Sequence, residues 1–432
     1  MYRQPLLIVT AALIAVFGLT TSALAEDGPT LKLENDNTET QSGTDNTLEP
    51  RLDGDVGRQM QAHRFLSAVN TSIGGYGEAR WLFTKLGEDD GTSMADQYRL
   101  VLFIAHNFSD WIRFYSEIEV EHAMAGDGLP GYVAIEQCLL DFDIIQRALT
   151  IRAGLFLVPM GITNIWHEPP IFHGVSRPTV ERQIIPSTWR ELGIGILGEP
   201  VDGLRYELYV MSALNPLGFS AGSGIRNGRA HAAEAPGDTL AVSARLEYEP
   251  ILGTVVGLSG YYSMAGPNIN NAKVAGEDKD LKVPVVGISA DFRGRWQGLE
   301  AKAVAAFFSI GETDELRKLD GADGLEDGQT GPDIGSQLFG AYGEVAYNVL
   351  QSVDTEHELL PFVRYEYLDT MFALDGRDET TGDKEKAIHD IFFGVTYRPI
   401  RQVVAKVDMN LRMFGGDKDS EKGLNLGLGY MF

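Results

Sequence analysis

From about Ile73 to the last residue, apolar and polar side chains alternate along the chain with a period of two. Neighbouring residues of a β-strand face opposite sides, so this period predicts strands and not helices. Between residues 110 and 122, Ile112, Phe114, Ile118 and Val120 share one face. Arg113, Tyr115, Glu117, Glu119 and Glu121 share the other. Further on, Leu240, Val242, Ala244, Leu246 and Tyr248 oppose Ser243, Arg245, Glu247 and Glu249. The pattern predicts sixteen strands, over 73–85, 96–107, 110–122, 131–143, 148–158, 190–199, 203–213, 238–249, 253–265, 283–294, 296–310, 335–349, 356–368, 388–398, 401–413 and 421–432. Each is long enough to cross a membrane at the usual strand tilt.

The connections alternate too. Even-to-odd links are tight, as at Phe108-Ser109-Asp110, Pro200-Val201-Asp202-Gly203 and Pro399-Ile400. Odd-to-even links are longer, up to the 311–334 segment. Short turns on one rim and long loops on the other are the pattern of a transmembrane antiparallel β-barrel. Aromatics next to the short turns (Trp111, Tyr206, Tyr248, Trp296, Tyr397 and Phe432) would form a girdle at the membrane edge. The chain ends NLGLGYMF, with Leu424, Leu426, Leu428, Tyr430 and Phe432 on one parity. On a soluble edge strand such a stripe would invite aggregation. The stripe resembles the closing strand of bacterial outer-membrane barrels, and that resemblance implies that Tyr430 and Phe432 serve as the assembly signal.

The first 64 residues stand apart. Residues 1–25 carry Arg3, an apolar run from Leu6 to Leu19 and an Ala23-Leu24-Ala25 cleavage site, the features of an export signal peptide. Residues 26–64 are polar and acidic, with too few apolar side chains to pack, and read as a periplasmic linker or disordered arm. The barrel domain then spans 65–432. After residue 25 no apolar run reaches the 18 residues of a helical span. A single cysteine, Cys138, permits no intramolecular disulfide. The formal net charge of −25 excludes general nucleic-acid binding and fits acidic outer loops.

One stretch breaks the alternation. Residues 159–190 hold five prolines, two tryptophans, two histidines and three arginines, with little strand or helix pattern. A structureless segment of this length is functional or disordered, and its aromatic and aliphatic content argues against disorder. It is expected to fold into the barrel mouth and narrow the opening. Arg177, Arg182 and Arg190 against Glu168 and Glu181 make it slightly basic, and these five are the candidate constriction residues. The 311–334 loop, with eight acids against two bases, is strongly acidic. By strand parity the pore lining includes Arg113, Glu117, Glu119, Glu121, Arg152, Arg205, Glu207, Arg245 and Glu247. Glu78, Arg80, Glu136, Asp291, Arg293, Glu300, Lys302, Glu344, Arg364, Glu366, Arg398, Lys406 and Asp408 join them. These charges can set ion preference or simply brace the wall.

Several motifs lack the context their chemistry needs. Gly193 to Gly198 matches G-x-G-x-x-G but lies within a strand, with no helix after it, so no dinucleotide cofactor is implied. Gly193 and Gly195 are instead expected to leave lumen space for the inserted loop. His167 and His173 flank Glu168-Pro169-Pro170, but a zinc protease needs a histidine at 171 on a helix, where this chain has isoleucine after two prolines. Loop-stabilising hydrogen bonds suit both histidines better than catalytic zinc. Asp320, Asp323, Glu326 and Asp327 match no calcium-loop spacing. No metal, cofactor or catalytic residue is expected.

RAGLFLVPMGITN, HEPPIFHGVSRPTVERQIIPSTWRELGIGILG and SEIEVEH, with Pro186 to Gly193 the most specific element, resemble the phosphate-selective porin O and P family of sixteen-stranded outer-membrane porins. The resemblance covers residues 73–432 in architecture. It implies passive diffusion of small hydrophilic solutes or ions, anions such as phosphate among them, across the outer membrane of a Gram-negative bacterium. Its implied partners are outer-membrane lipids, the barrel assembly machinery and two further copies in a homotrimer. The lumen mixes both charge signs and lacks the arginine–lysine run of phosphate-selective members. The alternatives are a barrel enzyme such as a lipid hydrolase, which needs a Ser–His pair on the wall, and a plugged structural or adhesive barrel. A 22-stranded transporter needs a longer chain.

Overall fold

The computed structural model describes residues 70–432 apart from 236, 238, 266–272, 275–276, 279–280 and 321–330. The expected signal peptide and acidic arm, and Asp323, Glu326 and Asp327, lie outside the described residues. Sixteen strands close into one antiparallel barrel in which every strand pairs with its neighbours in sequence and the last pairs with the first. They are β1 (Thr71–Leu86), β2 (Thr92–Asn107), β3 (Ile112–Glu121), β4 (Val133–Ile145), β5 (Leu149–Leu157), β6 (Arg190–Val201), β7 (Leu204–Ser212) and β8 (Leu240–Ile251). The second half holds β9 (Thr254–Ala265), β10 (Val283–Trp296), β11 (Leu299–Ile310), β12 (Gln337–Tyr347), β13 (Glu358–Ala373), β14 (Ala387–Ile400), β15 (Val403–Phe414) and β16 (Glu421–Met431). All sixteen fall on the predicted segments, with ends shifted by a few residues, most at β13, which runs on to Ala373. Among the described residues no helix is long and apolar enough to cross a membrane.

The burial is inverted relative to a water-soluble protein. In β8, Leu240 is 57% exposed and Leu246 49%, while Ser243 is 0% and Arg245 3% exposed. Apolar side chains therefore face outward and polar ones inward, a cost in water but a gain in lipid. The girdle aromatics Trp111, Tyr248, Trp296, Tyr397 and Phe432 are exposed; Tyr206 is half-buried and donates to the Ala148 carbonyl.

Six of the seven even-to-odd links are short, running from two residues at 202–203 and 252–253 to four at 108–111. The seventh, 348–357 between β12 and β13, is longer than the tight turn expected there. It is organised by Asn348, whose side-chain oxygen accepts from the Leu350 and Leu359 amides. Two short strands in the β9–β10 link and one in the β11–β12 link pair into a small separate sheet. The seam is tied by β1–β16 pairing from Tyr76↔Met431 to Leu86↔Glu421. Gly75 and Phe432 exchange both backbone hydrogen bonds at 2.9 Å.

Candidate functional site: the lumen and its two inward loops

The 158–189 connection between β5 and β6 crosses to the far wall. Its backbone amides are received by wall carboxylates: Val175 donates to Asp408 (2.5 Å) and Val180 to Glu366 (2.9 Å). Its carbonyls are received by wall cations. Lys302 donates to Ile171 (2.6 Å), Arg398 to Pro170 (3.1 Å) and Arg364 to His173 (3.1 Å) and Ser176 (3.3 Å). A segment with little regular structure thus satisfies its buried backbone through the polar inner face of β11–β15. A short 3-10 turn (Pro169–Ile171) and one helical turn (Val180–Gln183) are its regular pieces.

On the opposite side the same loop supplies an apolar cluster inside the barrel. Trp189, Ile184, Ile185, Met160 and Ile162 pack with Phe156, Tyr209, Met211, Tyr261, Phe308 and Leu338. Phe156 stacks on Tyr209 at 4.2 Å, and Trp189 lies 4.8 Å from Tyr261. The space beside Gly193 and Gly195 is filled by Met211 and Tyr209 of β7, not by the loop: a Cβ there would lie 2.7 Å and 2.2 Å from those side chains. The glycines that admit the loop are in β16. A Cβ on Gly427 would lie 3.2 Å from Val175, and one on Gly429 would lie 2.4 Å from the Pro169 Cβ.

A second connection, 213–239 between β7 and β8, also turns inward, which the sequence reading did not anticipate. Leu214, Phe219 and Ile225 are buried in the same cluster. Arg226 donates to the Arg182 and Ser187 carbonyls, and Arg229 to Ser187 (2.8 Å) and Arg226 (2.7 Å).

The wall charges are largely paired. Arg152 makes a two-pronged contact with Asp141 (2.7 and 2.8 Å), and Arg245 another with Asp291 (2.7 and 2.9 Å). Arg99 bridges Glu78, Glu119 and Glu121; Arg364 bridges Glu344 and Glu366; Arg398 bridges Glu300 and Glu358. Arg113 meets Asp143, Arg80 meets Asp96, Arg412 meets Asp390, and Arg205 and Arg293 both meet Glu247. Lys406 lies over the Phe172 ring. Of the expected lining, Arg113, Glu121, Arg205 and Glu207 keep partial exposure. Glu117, Glu119, Arg152, Arg245 and Glu247 are buried within these contacts. Arg99, Asp141, Asp390 and Arg412 belong to the same network and escaped the sequence reading.

The five expected constriction residues separate into two groups. Glu168, Glu181 and Arg190 are buried. Glu181 accepts from the Thr163 amide (2.7 Å), the Ile162 amide and the Tyr342 hydroxyl (2.7 Å), which fixes the loop's fold. Arg190 lies 3.6 Å from Glu136, an anchor on a different carboxylate from the neighbouring Glu117 or Glu119. Arg177 is half-buried and Arg182 exposed. Among the described residues, Arg177, Arg182, Arg226 and Arg229 have no carboxylate within 4 Å; Arg177, Arg226 and Arg229 donate to carbonyl oxygens. Their field is felt nearby: burial, then Arg229, Arg190 and Arg226, push the His231 pKa down to about 3. Burial and then Arg182 push that of Arg226 down to about 10. Among the described residues, the inward loops thus carry four arginines with no direct carboxylate contact, inside a wall whose own charges are largely paired.

A closed sixteen-stranded antiparallel barrel, apolar outside and polar inside, is the fold of the outer-membrane porins. OprB of Pseudomonas putida superimposes with a TM-score of 0.55 at 10% identity, over 88% of this chain and 97% of that one. An anion-selective porin from Comamonas acidovorans gives 0.53 at 11% identity, over 84% and 99%. The outer-membrane channel DcaP of Acinetobacter baumannii gives 0.50 at 12% identity, over 84% and 97%. At such identities the likeness is one of fold. The chain belongs to one family with an uncharacterized protein of Aquifex aeolicus (strain VF5), to which it is 31% identical over 357 residues, 81% of this chain and 77% of that one. No protein-family model matches the chain.

Proposed function

We propose that the protein is an outer-membrane channel for passive diffusion of small hydrophilic solutes, favouring anions where the two inward loops meet, and that it has no catalytic role. The observation that carries this reading is the set of four loop arginines, Arg177, Arg182, Arg226 and Arg229, with no carboxylate within 4 Å among the described residues, in a lumen whose other arginines are largely paired. Two unit charges about 5 Å apart interact by roughly 3 kcal/mol at an effective dielectric near 20. About 1.4 kcal/mol acting on one ion sign is enough for a tenfold permeability ratio. An oxyanion such as phosphate would meet these guanidinium groups, which suit its geometry. Export to the outer membrane and a homotrimer follow from the family resemblance.

The test is a planar-bilayer reversal potential in a salt gradient. Arg177→Gln with Arg182→Gln should move it toward cations with a modest change in conductance. An unchanged reversal potential in a folded variant would remove these arginines from the conduction path. The apolar cluster inside the barrel favours a second reading, a plugged structural barrel; absence of any single-channel conductance would select it. A lipid hydrolase gains no support from the buried histidines, since His167 faces Glu117 and Glu136, and His173 faces Glu300 and Thr396.

A further inference from the structure

A cluster of metal-ligating side chains lies away from the loop arginines, where the 158–189 loop meets β3 and β4. His167 presents Nε2 at 3.2 Å from Glu117 Oε1 and 3.4 Å from Glu136 Oε2. The three ligand atoms lie within 4.8 Å of one another, and the residues are 3%, 1% and 0% exposed.

Three observations make this more than a pair of acids near a histidine. First, Glu136 is completely buried, and its carboxylate oxygens meet only His167 Nε2 at 3.4 Å and Arg190 at 3.6 Å, both longer than a good hydrogen bond. A buried carboxylate with unfilled acceptor sites is costly unless something else meets it. Second, the backbone is built to aim Glu136 inward. Glu117 pairs with Gln137 and Ile118 with Ile135, so Glu136 is the extra residue of a β-bulge. Glu136 and Gln137, though consecutive, are therefore both buried on the lumen side. Bulges of this kind re-aim side chains at functional positions. Third, Gln137 Nε2 donates to Glu117 Oε2 at 2.7 Å and leaves Oε1 turned to the histidine, the outer-shell support typical of ligating carboxylates.

We propose that Glu117, Glu136 and His167 form a structural binding site for one divalent transition ion of the zinc type, which clips the inward loop to the barrel wall. A tetrahedral ion with bonds of about 2.0 Å holds its ligand atoms about 3.3 Å apart, and the two nitrogen–oxygen separations have that spacing. One imidazole with two carboxylates suits zinc or manganese better than calcium or magnesium, which take oxygen ligands and several waters. Two carboxylates neutralise the ion's charge. Arg190, 3.6 Å from the other Glu136 oxygen, and Arg177, which donates to the His167 carbonyl, oppose it and limit the affinity. The site is independent of whether the barrel conducts.

The experiment uses the full chain, folded in detergent, stripped with a chelator and titrated with Zn²⁺ against a chromophoric competitor. One tight site per chain is expected, resistant to excess Ca²⁺. Glu136→Gln and His167→Gln should each weaken it at least a hundredfold, with folding checked by heat-modifiable migration. Absence of a tight site in the wild-type protein overturns the proposal, as does tight binding that survives both substitutions and so belongs to the acidic outer loops. Should either variant fail to fold, X-ray absorption of the zinc-loaded wild type decides. One imidazole nitrogen with oxygen ligands supports the site; any other ligand set overturns it.

Discussion

Gly429 sits where β16 passes under Pro169, with no room for even one added carbon: a Cβ there would lie 2.4 Å from that of the proline. Gly427 has the same role beneath Val175. The alternation in NLGLGYMF therefore carries two messages, an apolar stripe for lipid and a smooth inner track for the loop. The outward stripe was legible from period two alone. The inner track was not, because nothing local shows which glycine faces a remote proline. Gly429→Val should leave the barrel folded but displace the loop, raising single-channel conductance severalfold. Unchanged conductance would mean that the loop does not set the narrowest point. Trp189, completely buried among Tyr261 and Phe308, is the loop's largest apolar anchor. Trp189→Ala should cost about 3–5 kcal/mol of packing, read as protease cleavage within the 158–189 loop while the strands stay protected.

At the scale of elements, all sixteen strands could be read from the sequence because each carries its own period and most of the short links carry turn residues. The β5–β6 loop was legible for the opposite reason, its five prolines and its break in alternation. The β7–β8 loop was missed because its glycine, alanine and serine content reads as a solvated connection. A signal was present: between Ala213 and Ala233 the chain has Arg226 and Arg229 and no acid, unusual in a protein of net charge −25. The pairing of wall arginines could not be foreseen, since register and bulges choose which carboxylate lies opposite. The bulge at Glu136 is a case where strict parity would place two consecutive residues on different faces, and the structure places both inside. Phe432 anchors the last strand through two backbone hydrogen bonds to Gly75. Deleting it should strongly reduce heat-modifiable folded protein in the outer membrane. Undiminished yield would show that the seam closes without it.

For the molecule as a whole, two rims of unequal loop length predict an orientation. Long links, including the exposed Gly382 between β13 and β14, should face the cell exterior, and the turn at Asp202 the periplasm. Gly382→Cys and Asp202→Cys, each in a Cys138→Ser background, can be tested on intact cells with an impermeant thiol reagent. Labelling is expected at 382 alone; labelling at 202 alone would invert the orientation. The closure of β1 on β16 also means that no strand of the barrel has a free edge, and that this junction alone of the sixteen has no turn across it. Its hydrogen bonding resembles that of the other fifteen junctions. Where the chain is cut is thus a matter of covalent order and not of architecture. A circular permutant that joins Phe432 to Thr71 by a short flexible linker and opens the chain in an outer loop should reach the same barrel, with its starting point moved around the ring.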